Sequence, residues 1–133
     1  MANYCFAEPE GRRALFAEAC VRGWVAAVRD FPQRKSREEC TAQALLECDT
    51  LRLEVCCITS EDAYQQLVSS AWVSTYLSLG DLTERETVPY AVELKGKSVD
   101  EALAIVRPNL SSNEGRAMID KIYAQFLEAT DGH

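Results

Sequence analysis

Four times along this chain a serine or threonine stands three residues before an acid, just ahead of an apolar run with helical spacing. The pairs are Ser36 with Glu39, Thr59 with Asp62, Ser98 with Glu101, and Ser111 with Glu114. The pattern is the reciprocal helix cap, in which a hydroxyl and a carboxylate satisfy two amide donors that the first turn leaves open. One match means little, but four that each open a periodic run commit most of the chain to α-helix. A further match, Thr83 with Glu86, opens no more than a turn, because Pro89 lacks an amide hydrogen and its ring blocks helical continuation.

The first helix is expected to start near Pro9, a residue suited to the first helical position, and to run until Pro32 stops it. Its inward stripe is Leu15, Phe16, Ala19, Cys20, Gly23, Trp24, Ala27, Val28 and Phe31. Val21 and Val25 add a second apolar edge, which predicts contact from more than one side and a central position. Gly23 inside a helix costs about 1 kcal/mol in propensity, so its place there points to close approach of a neighbour, with Trp24 beside it at the centre of the core. Residues 37–58 are ambiguous. Cys40, Ala44, Cys48, Leu51 and Val55 keep helical spacing, whereas Leu51, Leu53, Val55 and Cys57 alternate as a strand does; no strong turn signal interrupts the stretch, which favours helix. The next helix shows one face of Ala63, Tyr64, Leu67, Val68, Ala71, Trp72, Thr75, Tyr76 and Leu79, with Gly80 placed to end it. Ser69, Ser70, Ser74 and Ser78 punctuate it, a row of small side chains that suits tight helix crossing and also a hydroxyl-lined cavity.

Between Asp81 and Lys97 the helical pattern lapses, and residues 88–95 read as a short extended segment that Pro89 confines to an edge. A short helix from Ser98 to Val106 follows. A terminal helix from Ser111 to Ala129 then carries Met118, Ile119, Ile122, Tyr123, Phe126 and Leu127 on one face. Together these predict an all-α fold: a single compact domain, residues 1–133, of about five helices closing over Trp24, Trp72, Tyr76, Ile122 and Phe126, with residues 1–8 and 130–133 frayed. The alternative is an α+β fold with a small two-stranded hairpin of residues 51–58 and 88–95.

The 133 residues suffice for one domain with its own core. No stretch approaches the ~20 apolar residues of a membrane span, and the start lacks the basic flank and apolar core of a signal peptide, which reads as cytoplasmic.

The chemistry-bearing residues are sparse. The one histidine is His133, and none of the six cysteines forms a C-x-x-C pair, so the usual makings of acid–base catalysis near neutral pH or of a zinc site are missing from the sequence. Cys40, Cys48 and Cys56 recur every eight residues, a spacing that drifts around a helix and does not converge on one ion. They read as small buried hydrophobes, with bridges or a reactive thiol as the alternatives; adjacent Cys56 and Cys57 are the pair to watch under oxidation. Gly96-Lys97-Ser98 looks like the end of a phosphate loop, but position 91, where that loop needs glycine, is Ala91. No cofactor is implied.

Charge is the stronger signal. The chain carries a net charge of −7, and Glu47, Asp49, Glu54, Glu61, Asp62, Asp81, Glu84 and Glu86 concentrate the acid in its middle. Such a surface repels nucleic acid and anionic lipid, and attracts a basic protein face or keeps the protein soluble. Arg34, Lys35 and Arg37 surround Ser36 at a helix start, a possible anion site offset by Glu38 and Glu39. The expectation is a non-enzymatic protein-binding module, a small acidic inhibitor, immunity or chaperone-type protein, docking on a basic or nucleic-acid-binding protein with no direct nucleic-acid or membrane contact. The alternative is a small-molecule sensor or minor enzyme with a pocket between helices near Ser70, Ser74 and Tyr76.

Overall fold

The structure, a computed structural model, describes residues 3–30, 35–78, 94–106 and 113–131. In chain order these form β1 (Tyr4–Cys5), α1 (Pro9–Asp30), α2 (Arg37–Glu47), α3 (Asp49–Glu54), β2 (Val55–Cys56), α4 (Glu61–Ser78), α5 (Val99–Val106) and α6 (Asn113–Asp131). The molecule is a mostly helical single domain with one short parallel ladder, and no described helix is long and apolar enough to cross a membrane.

The caps work as local chemistry dictates. At α2 the Ser36 hydroxyl accepts from the Glu39 amide at 3.2 Å, and the Glu39 carboxylate accepts from the Ser36 amide at 3.2 Å. These bonds hold the Glu39 carboxyl below its ordinary range. Ser98 and Glu101 repeat the arrangement before α5. At α4 the capping hydroxyl is that of Ser60, which accepts from the Ala63 amide at 3.3 Å, one residue later than the Thr59–Asp62 pairing predicts. Residues 111–112, 79–93 and 107–110 lie outside the described residues. With them go the Ser111 cap, the Gly80 stop, the Thr83–Glu86 turn and most of the 88–95 segment; its end, Leu94, is buried and accepts a turn bond from the Lys97 amide.

Residues 37–58 resolve as both readings in succession. The helix breaks at Cys48, whose φ of −97° and ψ of 7° lie off the helical values, resumes as α3, and gives way to β2. Cys40, Ala44, Cys48 and Leu51 face the core throughout, so the alternating tail takes effect only after Leu53. The partner of β2 is β1, paired in parallel with Tyr4 opposite Val55 and Cys5 opposite Cys56. Within the described part of residues 1–8, where the sequence predicts fraying, Tyr4–Cys5 are laddered, the Phe6 amide donates to the Cys56 carbonyl at 3.1 Å, and the Phe6 ring is buried against Tyr64. One buried aromatic ring and a short ladder outweigh the entropy of a free end.

The core is built on the crossing of α1 and α4. A Cβ at Gly23 would collide with the Trp72 backbone carbonyl, so this glycine lets the two helices meet backbone to backbone. That contact also moves the centre of the core. Gly23 faces α4 squarely, and the next residue, about 100° further round the helix, stands at the flank; Trp24 is accordingly half-buried, whereas Trp72 is fully buried and stacks on Tyr76 with centroids 5.0 Å apart. Val25 and Ala26 are buried with the main stripe, because α1 is also contacted by β1, α5 and α6. α6 closes the first half of α1 through aromatic contacts of Phe16 with Tyr123 (4.9 Å) and Phe126 (5.3 Å), and through Arg13, which pairs with Asp120 and lies over the Tyr123 ring.

Candidate functional site

The acids singled out by the sequence do not form one continuous face. Glu47 turns inward, pairs with Arg29 at 3.2 Å and accepts from Gln43. Asp49 and Glu61 converge on Arg52, at 2.9 and 2.7 Å, and the Arg52 guanidinium lies over the Tyr64 ring. Asp62 is exposed and Glu54 half-buried; Asp81, Glu84 and Glu86 lie outside the described residues. Three of the eight positions therefore pair with arginines of the same chain, Asp49 and Glu61 sharing one, and the negative potential they offer a partner is reduced.

Two residues that the sequence reading passed over organise this region. Arg22 and Arg29 stand two turns apart on α1, breaking its apolar stripe. Arg22 is buried; its Nη1 donates to Asp100 at 2.9 Å and to the Glu47 backbone carbonyl at 3.2 Å, and its Nε lies 3.6 Å from Glu18. Arg29 donates to Asp30, Glu47 and the Lys97 carbonyl. Asp30 also accepts the Tyr76 hydroxyl at 3.1 Å and pairs with Lys35. This polar seam fastens the end of α2 and the start of α5 to α1. Every cation in it meets a carboxylate, so it offers no free cation to an anionic ligand. The i, i+7 spacing of two arginines in a central helix was the available signal.

The nucleophiles of the interior are held protonated. Burial pushes the Cys20 and Cys48 thiols up to about 12, and Cys40 upward as well. Burial likewise raises the Tyr64 and Tyr76 hydroxyls, the first of which donates to the Cys48 carbonyl at 3.0 Å. Such groups are poor nucleophiles at neutral pH. No group of three or more His, Cys, Asp or Glu side chains able to hold a metal occurs among the described residues.

The basic turn is disassembled in the same way. Arg34 lies outside the described residues, Lys35 is engaged by Asp30, and Arg37 is exposed in the first turn of α2. The Glu39 amide that an anion would use is already taken by the Ser36 hydroxyl. Ser70 and Ser74 do line a depression, together with Phe16, Ile122, Gln125, Phe126 and Ala129, but its volume is about 190 Å³. That is below the ~300 Å³ at which ordinary ligand pockets begin. Tyr76 and the cysteines are not among its walls.

What remains is an outward face. Opposite the buried line of α2 and α3, Ala42, Leu46, Asp49, Thr50 and Leu53 are all exposed. Leu46 is 72% and Leu53 87% exposed, far more than Leu127, at 38%, the other exposed large apolar side chain among the described residues. Leu46 closes α2 and Leu53 lies in α3 beyond the break at Cys48, each on the side of its own helix away from the buried residues, with Asp49 between them in sequence and Glu54 next to Leu53. None of the protein-family models, curated proteins or solved structures compared with this chain matches it.

Proposed function

We propose that this chain is a non-enzymatic protein-binding module of the inhibitor, immunity or chaperone type, and that it docks through the outward face of α2 and α3 on a protein with a basic rim. The observation that carries this reading is the exposure of Leu46 and Leu53. Apolar side chains scattered singly on a surface need no explanation, but two large ones this exposed on consecutive short helices, with acids close by in sequence, have the make-up of an interface centre. Covering a leucine contributes about 1.5–3 kcal/mol, or roughly ten- to a hundred-fold in affinity. Glu54 and Asp62 supply the rim, and the net charge of −7 speeds encounter with a basic face.

The reading narrows the sequence expectation, because Glu47, Asp49 and Glu61 already carry partners within the chain. Affinity then rests on the leucines, and the acids set rate and salt dependence. Affinity capture from the native cell at ~0.05 and ~0.3 M salt tests it, since exposed charges are screened beyond about 0.15 M. A partner of basic surface, held at low salt and released at high salt, is the expected result; capture that is indifferent to salt contradicts the charged rim.

A further inference from the structure

Three of the six cysteines are left out of the core. Cys20, Cys40 and Cys48 are buried, whereas Cys5 is half-buried and Cys56 and Cys57 are exposed. The fold brings Cys5 and Cys56, about fifty residues apart in sequence, directly opposite each other in the β1–β2 ladder. Paired strands lie roughly 4.8 Å apart, inside the ~4.4–6.8 Å Cα separation that a disulfide spans, and opposed residues in a ladder project to the same side. The Cys56 thiol reaches back across the ladder to the Tyr4 carbonyl at 3.5 Å, next to Cys5. Cys57 follows with a φ of 60°, a left-handed conformation uncommon for a side-chain-bearing residue, and stands outside the ladder.

We propose that Cys5 and Cys56 form a reversible two-electron redox pair whose oxidant is hydrogen peroxide. The thiolate of the exposed Cys56 attacks one peroxide oxygen; an S–O bond forms, the O–O bond breaks, and the departing oxygen takes a proton as water. The Cys5 sulfur then attacks the resulting sulfenic acid, the S–S bond forms, and the sulfenic oxygen leaves as a second water. Two thiols lose two electrons and two protons, and the peroxide is reduced to two waters. A small dithiol returns the pair to the reduced state by exchange. The bridge closes a long loop and pins the N-terminal arm, with Phe6 in its pocket, to the segment leaving α3. Burial and the neighbouring Cys5 and Cys57 thiols raise the Cys56 thiol above its ordinary value, so oxidation is slow at neutral pH and quickens as pH rises.

The test uses the full reduced chain, exposed to hydrogen peroxide in steps, alkylated, and examined by intact mass and peptide mapping. The expected result is a chain that takes up two fewer alkyl groups than the reduced one and is about 2 Da lighter beyond that, a linked peptide pair joining Cys5 to Cys56, and a Tm raised by roughly 5–15 °C that dithiothreitol reverses. Cys5→Ser should abolish the linked pair and the Tm rise, while Cys57→Ser should keep both. A bridge between Cys56 and Cys57, a disulfide-linked dimer, or hyperoxidised Cys56 with Cys5 still free would each overturn the proposal.

Discussion

At the scale of single residues, the packing turns on Gly23 and Arg22. Gly23→Ala gains about 1 kcal/mol of helix propensity, but its methyl meets the Trp72 carbonyl, and backbone cannot swing aside as a side chain can. A net destabilisation of about 1–3 kcal/mol is expected in urea unfolding. A neutral or stabilising result would mean that α1 and α4 do not touch there. Arg22→Ala removes the donor shared by Asp100 and the Glu47 carbonyl, and with it the cation 3.6 Å from Glu18. Because Asp100 can turn to water but Glu18 is largely enclosed, the expected loss is about 2–4 kcal/mol. Arg22→Lys should recover little of it, since an ammonium cannot reproduce the guanidinium fork. Gly23 was legible in the sequence, because an unfavourable residue in a strong helix demands a steric reason. Arg22 was not, because an arginine at a stripe position can equally reach out to solvent.

At the scale of elements, the hydroxyl–acid pairs carried the most information. The caps at Ser36 and Ser98 use backbone amides within three residues, so nothing distant has to be known to foresee them. Ser36→Ala should cost about 1 kcal/mol, read as a lower urea midpoint with an unchanged m-value; an unaffected midpoint would mean that α2 is held by packing alone. Thr59 missed by one place because Ser60 offers the same hydroxyl with a better position for the Ala63 amide. The ladder of β1 and β2 was beyond local reasoning. Two-residue strands leave no periodicity, and their pairing joins positions about fifty residues apart through Phe6 and the backbone of Cys56.

At the scale of the whole molecule, burial of thiols and phenols ties stability to alkaline pH. Cys20 and Cys48 titrate near 12 in the folded chain against 9.0 ordinarily, and Tyr64 and Tyr76 are raised from 10.0. Above pH 9 the unfolded chain therefore sheds protons that the folded chain keeps, and unfolding gains free energy with each step in pH. Stability is expected to hold steady up to about pH 9 in a reducing buffer and to fall from there toward pH 11. A flat urea midpoint across that interval would mean that these groups are not enclosed. The surface, unlike the interior, was only half legible. Net charge and the position of each acid are in the sequence, but the pairing of Glu47 with Arg29, and of Asp49 and Glu61 with Arg52, depends on how the helices cross. In the sequence Leu53 is one member of an alternating pattern and Leu46 carries no signal, since only the fold shows that the buried line of α2 and α3 runs on their opposite side. The most direct measurement of the docking surface is therefore a comparison of partner capture by the native chain and by a Leu46→Asp, Leu53→Asp variant with matching circular dichroism. The account predicts that a partner held by the native chain is weakened at least a hundred-fold by the double substitution; undiminished capture of that partner by the variant would contradict it.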